Sequence, residues 1–183
     1  MEDAIFLDFL KAQLVAGLAL AAESDLLMLL PLRGSGPFPD RYLARFTCRG
    51  LVCDPETRAV AEHDRFEVGI HFPPDYLRAV RPYQIVTLLA PPHAWHPNLR
   101  FPGMCLGRMH PGTGIVELVY QAYEVITYQK MTTLEHDALN PEACAWARRN
   151  TARFPIDRRP LKRKPVAQFE SLAADPTPEG GAP

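Results

Sequence analysis

The sequence predicts an α+β fold: an N-terminal helix, an antiparallel strand meander, a long loop and C-terminal helices. Three observations predict it. Residues 3–23 repeat apolar side chains at helical spacing. Segments between 41 and 90 alternate with a period of two. From residue 115 the helical spacing returns.

In the first segment Ile5, Phe6, Phe9, Leu10, Leu14 and Leu18 keep helical spacing, with Asp8, Lys11 and Gln13 between them. PLRGSGPFPD, 31–40, is rich in breakers and predicts a loop. In RYLARFTCRG, Tyr42, Ala44, Phe46 and Cys48 alternate with Leu43, Arg45, Thr47 and Arg49. In RFEVGIHF, Phe66, Val68, Ile70 and Phe72 alternate with Arg65, Glu67, Gly69 and His71. Both read as strands with one buried face. Asp54-Pro55 between them is a turn signal. YQIVTLLA, 83–90, is apolar enough for a strand buried on both sides. The short connections predict antiparallel pairing.

Residues 91–114 hold Pro91, Pro92, Pro97, Pro102 and Pro111, with Gly103, Gly107, Gly112 and Gly114. This predicts a long loop without regular structure, and such loops often carry function. Ile115, Leu118, Val119, Ala122, Val125 and Ile126 then predict a helix over 115–130. Tyr120, Tyr123 and Tyr128 read as packing residues with polar tips. NPEACAWARRN is a helix start: Asn140 caps, Pro141 takes the first position and Glu142 the first turn. Ala143, Trp146 and Ala147 form its buried side. After Phe154 the pattern fades into DRRPLKRKP and ADPTPEGGAP. Residues 1–154 are therefore expected to form one domain, and 155–183 a weakly ordered tail.

Composition narrows the function classes. The chain has 183 residues, 47% hydrophobic and 22% charged, which suits a soluble globular domain. The net charge of -1 offers no global basic field for nucleic acid or an anionic membrane. The cysteines are Cys48, Cys53, Cys105 and Cys144; none pair as C-x-x-C, so no metal site is expected, and no cofactor. Met1-Glu2-Asp3 is not a positive secretory start, and the run from Leu14 to Ala22 is too short to span a bilayer. A cytoplasmic protein with reduced thiols is the expectation.

The chemistry concentrates in AWHPNLRFPGMCLG, 94–107. Flanking Pro and Gly place Cys105 on an exposed loop, and Asn98 stands seven residues before it. Trp95 reads as a packing anchor beneath that loop. Together FEVGIHFPPDY, HPN, GMCLG and HDALNPEA, in this order, resemble the ubiquitin-conjugating enzymes. The resemblance covers roughly 65–150, and the preceding helix and strand fit in order.

The resemblance implies the ubiquitin-conjugating-enzyme fold and a set of roles. Cys105 matches the thiol that carries a ubiquitin-like protein as a thioester. Asn98 matches the amide that organises the active-site loop or stabilises the oxyanion. His96 and Pro97 match the structural part of that motif. Asp137, 32 residues after Cys105, matches the acidic residue that positions the attacking amine. Gly103 and His110 fall in the loop as supporting positions. The implied partners are a ubiquitin-like protein, its activating enzyme and a protein target.

The chain also departs from the family. The gap from Asn98 to Cys105 is one residue shorter than in most members. The tryptophan usual after the cysteine is replaced by the Met109-His110-Pro111 region. The segment that docks RING-type ligases reads YLRAVRP, 76–82, which counts against such a partner. The first helix is not basic. The pattern is similar to divergent bacterial members found beside ubiquitin-like proteins and activating enzymes, in some cases in antiphage defence systems.

Thioester exchange suits these residues. A thiol with a pKa near 8.5 is a few per cent ionised at neutral pH, so nearly thermoneutral exchange needs no strong base. The tetrahedral oxyanion gains about 3 kcal/mol from one well-placed donor, such as an amide. Two other classes compete. One is a non-catalytic module that binds a ubiquitin-like protein; the presence of Cys105 counts against it. The other is a cysteine hydrolase using His96 or His110, which requires an imidazole within hydrogen-bond reach of the sulfur.

Overall fold

The computed structural model describes residues 3–34 and 36–163. Helix α1, Ala4–Ala22, starts at Asp3, whose carboxylate accepts from the Ile5 and Phe6 N–H groups. Eight strands follow: β1 Leu27–Leu32, β2 Arg41–Phe46, β3 Gly50–Cys53, β4 Val60–His63, β5 Phe66–His71, β6 Val86–Ala90, β7 Leu99–Arg100 and β8 Gly103–Met104. A single helical turn, α2 Pro82–Ile85, precedes β6. Helices α3, Ile115–Ile126, and α4, Pro141–Arg149, come last. The protein is a mixed α+β fold with an N-terminal helix and an antiparallel sheet.

The main sheet has the order β1-β2-β5-β6-β8-β7, and its neighbours pair antiparallel. The expected meander of 41–48, 65–72 and 83–90 is present as β2, β5 and β6. The β3–β4 hairpin between β2 and β5 forms a separate two-stranded sheet. The period-two reading holds: Tyr42, Ala44, Phe46, Phe66, Val68 and Ile70 all face the core.

One face of the main sheet is covered by α1 and α3. From α1 the contact is made by Leu10, Gly17 and Leu20, with Phe6, Phe9 and Leu14 partly buried. Ile5 and Leu18 lie outside this stripe and are exposed. A Cβ at Gly17 would come 2.7 Å from a Leu29 methyl and 3.2 Å from an Ile115 methyl. Glycine there allows α1, β1 and α3 to meet closely. Gln13 completes the junction: its side-chain oxygen accepts the Ile115 N–H at 2.8 Å. Gly114, at the start of α3, has no side chain to do so. By length and composition α1 could cross a membrane. Its buried face, Leu10, Gly17 and Leu20, packs into the core shared with the sheet.

Four expectations need correction. Residues 91–114 do contain regular structure, the β7–β8 hairpin. The segment 83–90 begins as a helical turn, becomes a strand at Val86 and is buried on one side only, with Leu89 exposed. Helix α3 ends at Ile126, before Tyr128, which has φ +60°. The proposed tail is ordered in its first part. Ile156, Asp157 and Leu161 are buried, and the Ile156 N–H donates to the Thr127 carbonyl at 2.9 Å. The remainder of that tail, 164–183, lies outside the described residues.

Asp157 explains the ordering of 155–163. Its carboxylate is fully buried and accepts from the Arg49 N–H at 2.9 Å, the Arg159 N–H at 3.1 Å and the Arg159 guanidinium at 2.6 Å. Further on, the Leu161 carbonyl accepts from the Ser24 hydroxyl, and the Arg163 N–H donates to the Glu23 carbonyl. The segment thus runs from α3 to the end of α1. Burial pushes the Asp157 pKa up, but the Arg159 side-chain and the Arg49 and Arg159 backbone hydrogen bonds outweigh it and hold the carboxyl at about 2.

A folded pKa below the unfolded value gives stability that is present above the unfolded pKa and lost as pH falls through the folded one. Asp157 contributes about 2 kcal/mol in this way. Urea midpoints measured from pH 5 to pH 2 should show wild type losing its advantage over Asp157→Asn between about pH 4 and pH 2. A constant difference across that range would contradict the assignment.

Candidate functional site

The spacing of Asn98 and Cys105 has a geometric cause. β7 and β8 pair Leu99 with Met104 and Arg100 with Gly103, joined at the exposed Phe101-Pro102. The next pair outward in this register is Asn98 and Cys105. They are bonded as cross-strand partners: the Cys105 N–H donates to the Asn98 carbonyl at 2.9 Å. The Asn98 side-chain amide donates back to the Cys105 carbonyl at 3.1 Å. A hairpin, with no need of a longer loop, accounts for the seven-residue interval.

Asn98 is buried, and its side-chain oxygen is also occupied. It accepts the Thr132 N–H at 2.8 Å. The amide therefore ties the cysteine's own carbonyl to the segment after α3. Pro97 is buried, and its carbonyl accepts the Asn140 N–H at 3.0 Å, joining the motif to the start of α4. Asn140 caps α4 through its side-chain oxygen and the Ala143 N–H at 3.0 Å, as the sequence predicts. Ala143 and Ala147 are buried and Trp146 is half-buried.

His96 is a structural residue. It is 1% exposed, and its Nδ1 accepts the Asn98 N–H at 2.9 Å. That contact leaves the proton on Nε2, which is buried without a hydrogen-bond partner. Desolvation pushes its pKa down to about 3, offset in part by the Lys130 backbone. The imidazole is therefore neutral at physiological pH. Its ring meets the Tyr128 ring edge-on at 4.2 Å, and Tyr128 stacks on Phe154 at 4.4 Å. The Tyr128 hydroxyl donates to the Trp95 carbonyl. Trp95 is buried in this second core cluster with Leu51 and Ile156, whereas Leu99 and Met104 of the hairpin belong to the main core.

Of the four cysteines, Cys48, Cys53 and Cys144 are buried and Cys105 is partly exposed. Burial pushes the Cys48 thiol up to about 12, so it is protonated and inert. Cys144 is a helix residue of α4, and its thiol donates to the Thr132 carbonyl. Among the described residues no histidine nitrogen is hydrogen-bonded to the Cys105 sulfur, the contact a Cys-His hydrolase requires. No group of three or more His, Cys, Asp or Glu side chains among them is arranged to hold a metal ion.

The remaining candidates are placed less centrally. Gly103 is in β8, where an added Cβ would crowd the Arg100 carbonyl at 3.1 Å. His110 is exposed, and its backbone N–H and carbonyl bond to the Thr113 hydroxyl at 3.2 and 2.8 Å in a turn before α3. Asp137 lies in the exposed 3-10 turn Glu135–Asp137 and pairs with His136 at 3.5 Å. It makes no hydrogen bond to the Cys105 hairpin. Its neighbour Leu139 approaches Gly103, with a methyl 3.8 Å from where a Cβ would stand.

The structure adds two residues that the sequence did not single out. Thr132 holds Asn98 through its N–H. Lys130 donates from its ammonium to the Leu106 carbonyl at 2.6 Å, directly after Cys105. Neither belongs to a motif, because both contacts depend on how the chain leaves α3. No protein-family model matches the chain, and no curated protein matches it.

Replacing Asn98 by Ala unties the Cys105 carbonyl and the Thr132 N–H together. We expect a loss of about 2 kcal/mol and faster amide exchange at Cys105 and Thr132. Unchanged exchange at both amides would refute the role. For His96, the depressed folded pKa means that stability falls as pH drops from about 6.5 toward 3. His96→Asn keeps an acceptor for the Asn98 N–H and has no proton to gain. Its thermal unfolding should therefore show a flatter pH profile in this range.

Proposed function

We propose that this protein is a conjugating enzyme for a ubiquitin-like protein, on a ubiquitin-conjugating-enzyme fold, acting in the cytoplasm. The observation that carries the reading is the Asn98–Cys105 pair: a partly exposed thiol on a short hairpin whose backbone is held on both sides by a buried amide. A thioester carrier needs an open sulfur that two large partners reach in turn. It also needs a fixed backbone, so that the bound carbonyl is presented in one geometry. The other three cysteines, all buried, do not meet the first requirement.

The chemistry balances without a cofactor. The Cys105 thiolate attacks the thioester carbonyl on an activating enzyme, and that enzyme's cysteine leaves as a thiolate. An amine of the target then attacks the Cys105 thioester, an amide bond forms, and Cys105 leaves as a thiolate while the amine's proton passes to water. A carboxylate near the incoming lysine raises its pKa, so Asp137 is assigned to orienting the amine, with desolvation lowering that pKa.

The test is a non-reducing gel. The full chain is incubated with ATP, an activating enzyme and that enzyme's ubiquitin-like protein, with Cys105→Ala and Cys105→Lys in parallel. The expected result is a thiol-sensitive adduct on wild type, none on the Ala variant and a thiol-resistant adduct on the Lys variant. No adduct from a demonstrably charged activating enzyme would reject the carrier role for this pair and favour the binding module.

A further inference from the structure

We infer that residues 165–174 of this chain dock along the outer face of α1, over its second half. The inference does not depend on the role of Cys105. A helix at a protein surface is polar on its outer side, and a helix that is apolar all round is buried. From Ala12 to Ala22, α1 carries no charged side chain. Gly17 and Leu20 turn its inner side to the core, and Gln13 is bonded to the Ile115 N–H. Ala12, Val15, Leu18, Ala19 and Ala22 are left on the opposite face, at spacings of three and four. Among the described residues nothing covers them: Val15 is 64% exposed and Leu18 44%.

The described chain ends beside this face. The Arg163 N–H donates to the Glu23 carbonyl at 2.9 Å, and its guanidinium donates to the Ala22 carbonyl at 2.5 Å and pairs with Asp25 at 3.4 Å. Lys162 pairs with Glu23. Residues 164–183, which follow, therefore start from the C-terminal end of α1.

The sequence that follows suits the face. Val166, Phe169, Leu172 and Ala173 recur at the spacing of one helical face, with Gln168 and Ser171 opposite. Pro165 fits a first helical position, and Asp175-Pro176 is a stop signal. Ten helical residues span about 15 Å, which is also about the distance along α1 from Ala22 back to Ala12. An antiparallel run from Arg163 brings Phe169 beside Val15 and Leu18, and Ala12 and Ala19 allow close approach. So short a helix is marginal in water, so docking and helix formation go together. Tethering at Arg163 gives the segment a local concentration on the order of millimolar at this face, which favours it over a second copy.

The test places p-benzoylphenylalanine at position 169 of the full chain, irradiates it and maps the crosslinks by mass spectrometry. A mixture of isotope-labelled and unlabelled chains separates links within one chain from links between two. The expected product is a link within one chain from position 169 to the 12–22 stretch of α1. Val15→Lys with Leu18→Lys, both at exposed positions, should lower its yield roughly tenfold. Ile5→Lys, about 25 Å from Ala22 along the helix, should leave it unchanged. Links between chains would mean that a second copy covers the face and would overturn the inference. Links to other parts of the protein, or none, overturn it as well, as does an undiminished yield in the double variant.

Discussion

The hairpin at 99–104 is too short to hold a shape by itself. A two-residue strand pair has few ladder bonds, so its conformation comes from what it is attached to. Leu99 and Met104 are buried in the main core and β8 pairs with β6, and three further attachments fix its outer end. Asn98 bonds forward to the Cys105 carbonyl and sideways to Thr132. Pro97 bonds to the start of α4. His96 bonds to the Asn98 backbone and packs on Tyr128. The position of the sulfur follows from all three.

Those attachments converge on the chain leaving α3. Thr127 accepts the Ile156 N–H, Tyr128 carries the stacked rings, Lys130 reaches Leu106 and Thr132 holds Asn98. Tyr128 has φ +60°, a conformation that non-glycine residues rarely adopt. It is sustained by a fully packed ring and by the hydroxyl bond to the Trp95 carbonyl. The same few residues therefore join the large core under the sheet to the smaller one around Trp95 and Tyr128.

The titratable groups divide by environment. Asp157 and His96 are both buried, and desolvation acts on both. Asp157 is surrounded by donors and stays charged. His96 has one donor neighbour and an apolar Tyr128 face, and stays neutral. The first tethers a segment rich in arginine and proline, which has too little apolar surface to fold by burial alone. The second supplies a rigid acceptor for a backbone N–H. Neither is free for acid–base work.

The sequence by itself determined the elements whose signal is local. Alternation in Tyr42-Ala44-Phe46 and Phe66-Val68-Ile70 specified the central strands, and Asn140-Pro141-Glu142 specified the start of α4. The Pro- and Gly-rich frame around Cys105 marked the candidate site. What only the tertiary structure decided are the contacts between distant segments. The hairpin register that pairs Asn98 with Cys105 depends on β8 joining β6. Lys130 and Thr132 reach the hairpin only because α3 ends where it does. Asp157 orders 155–163 through hydrogen bonds to residues as distant as Arg49. Periodicity reports which residues share a face of one element. A buried carboxylate or amide acts by satisfying particular backbone groups, and those are chosen by the path of the chain in space.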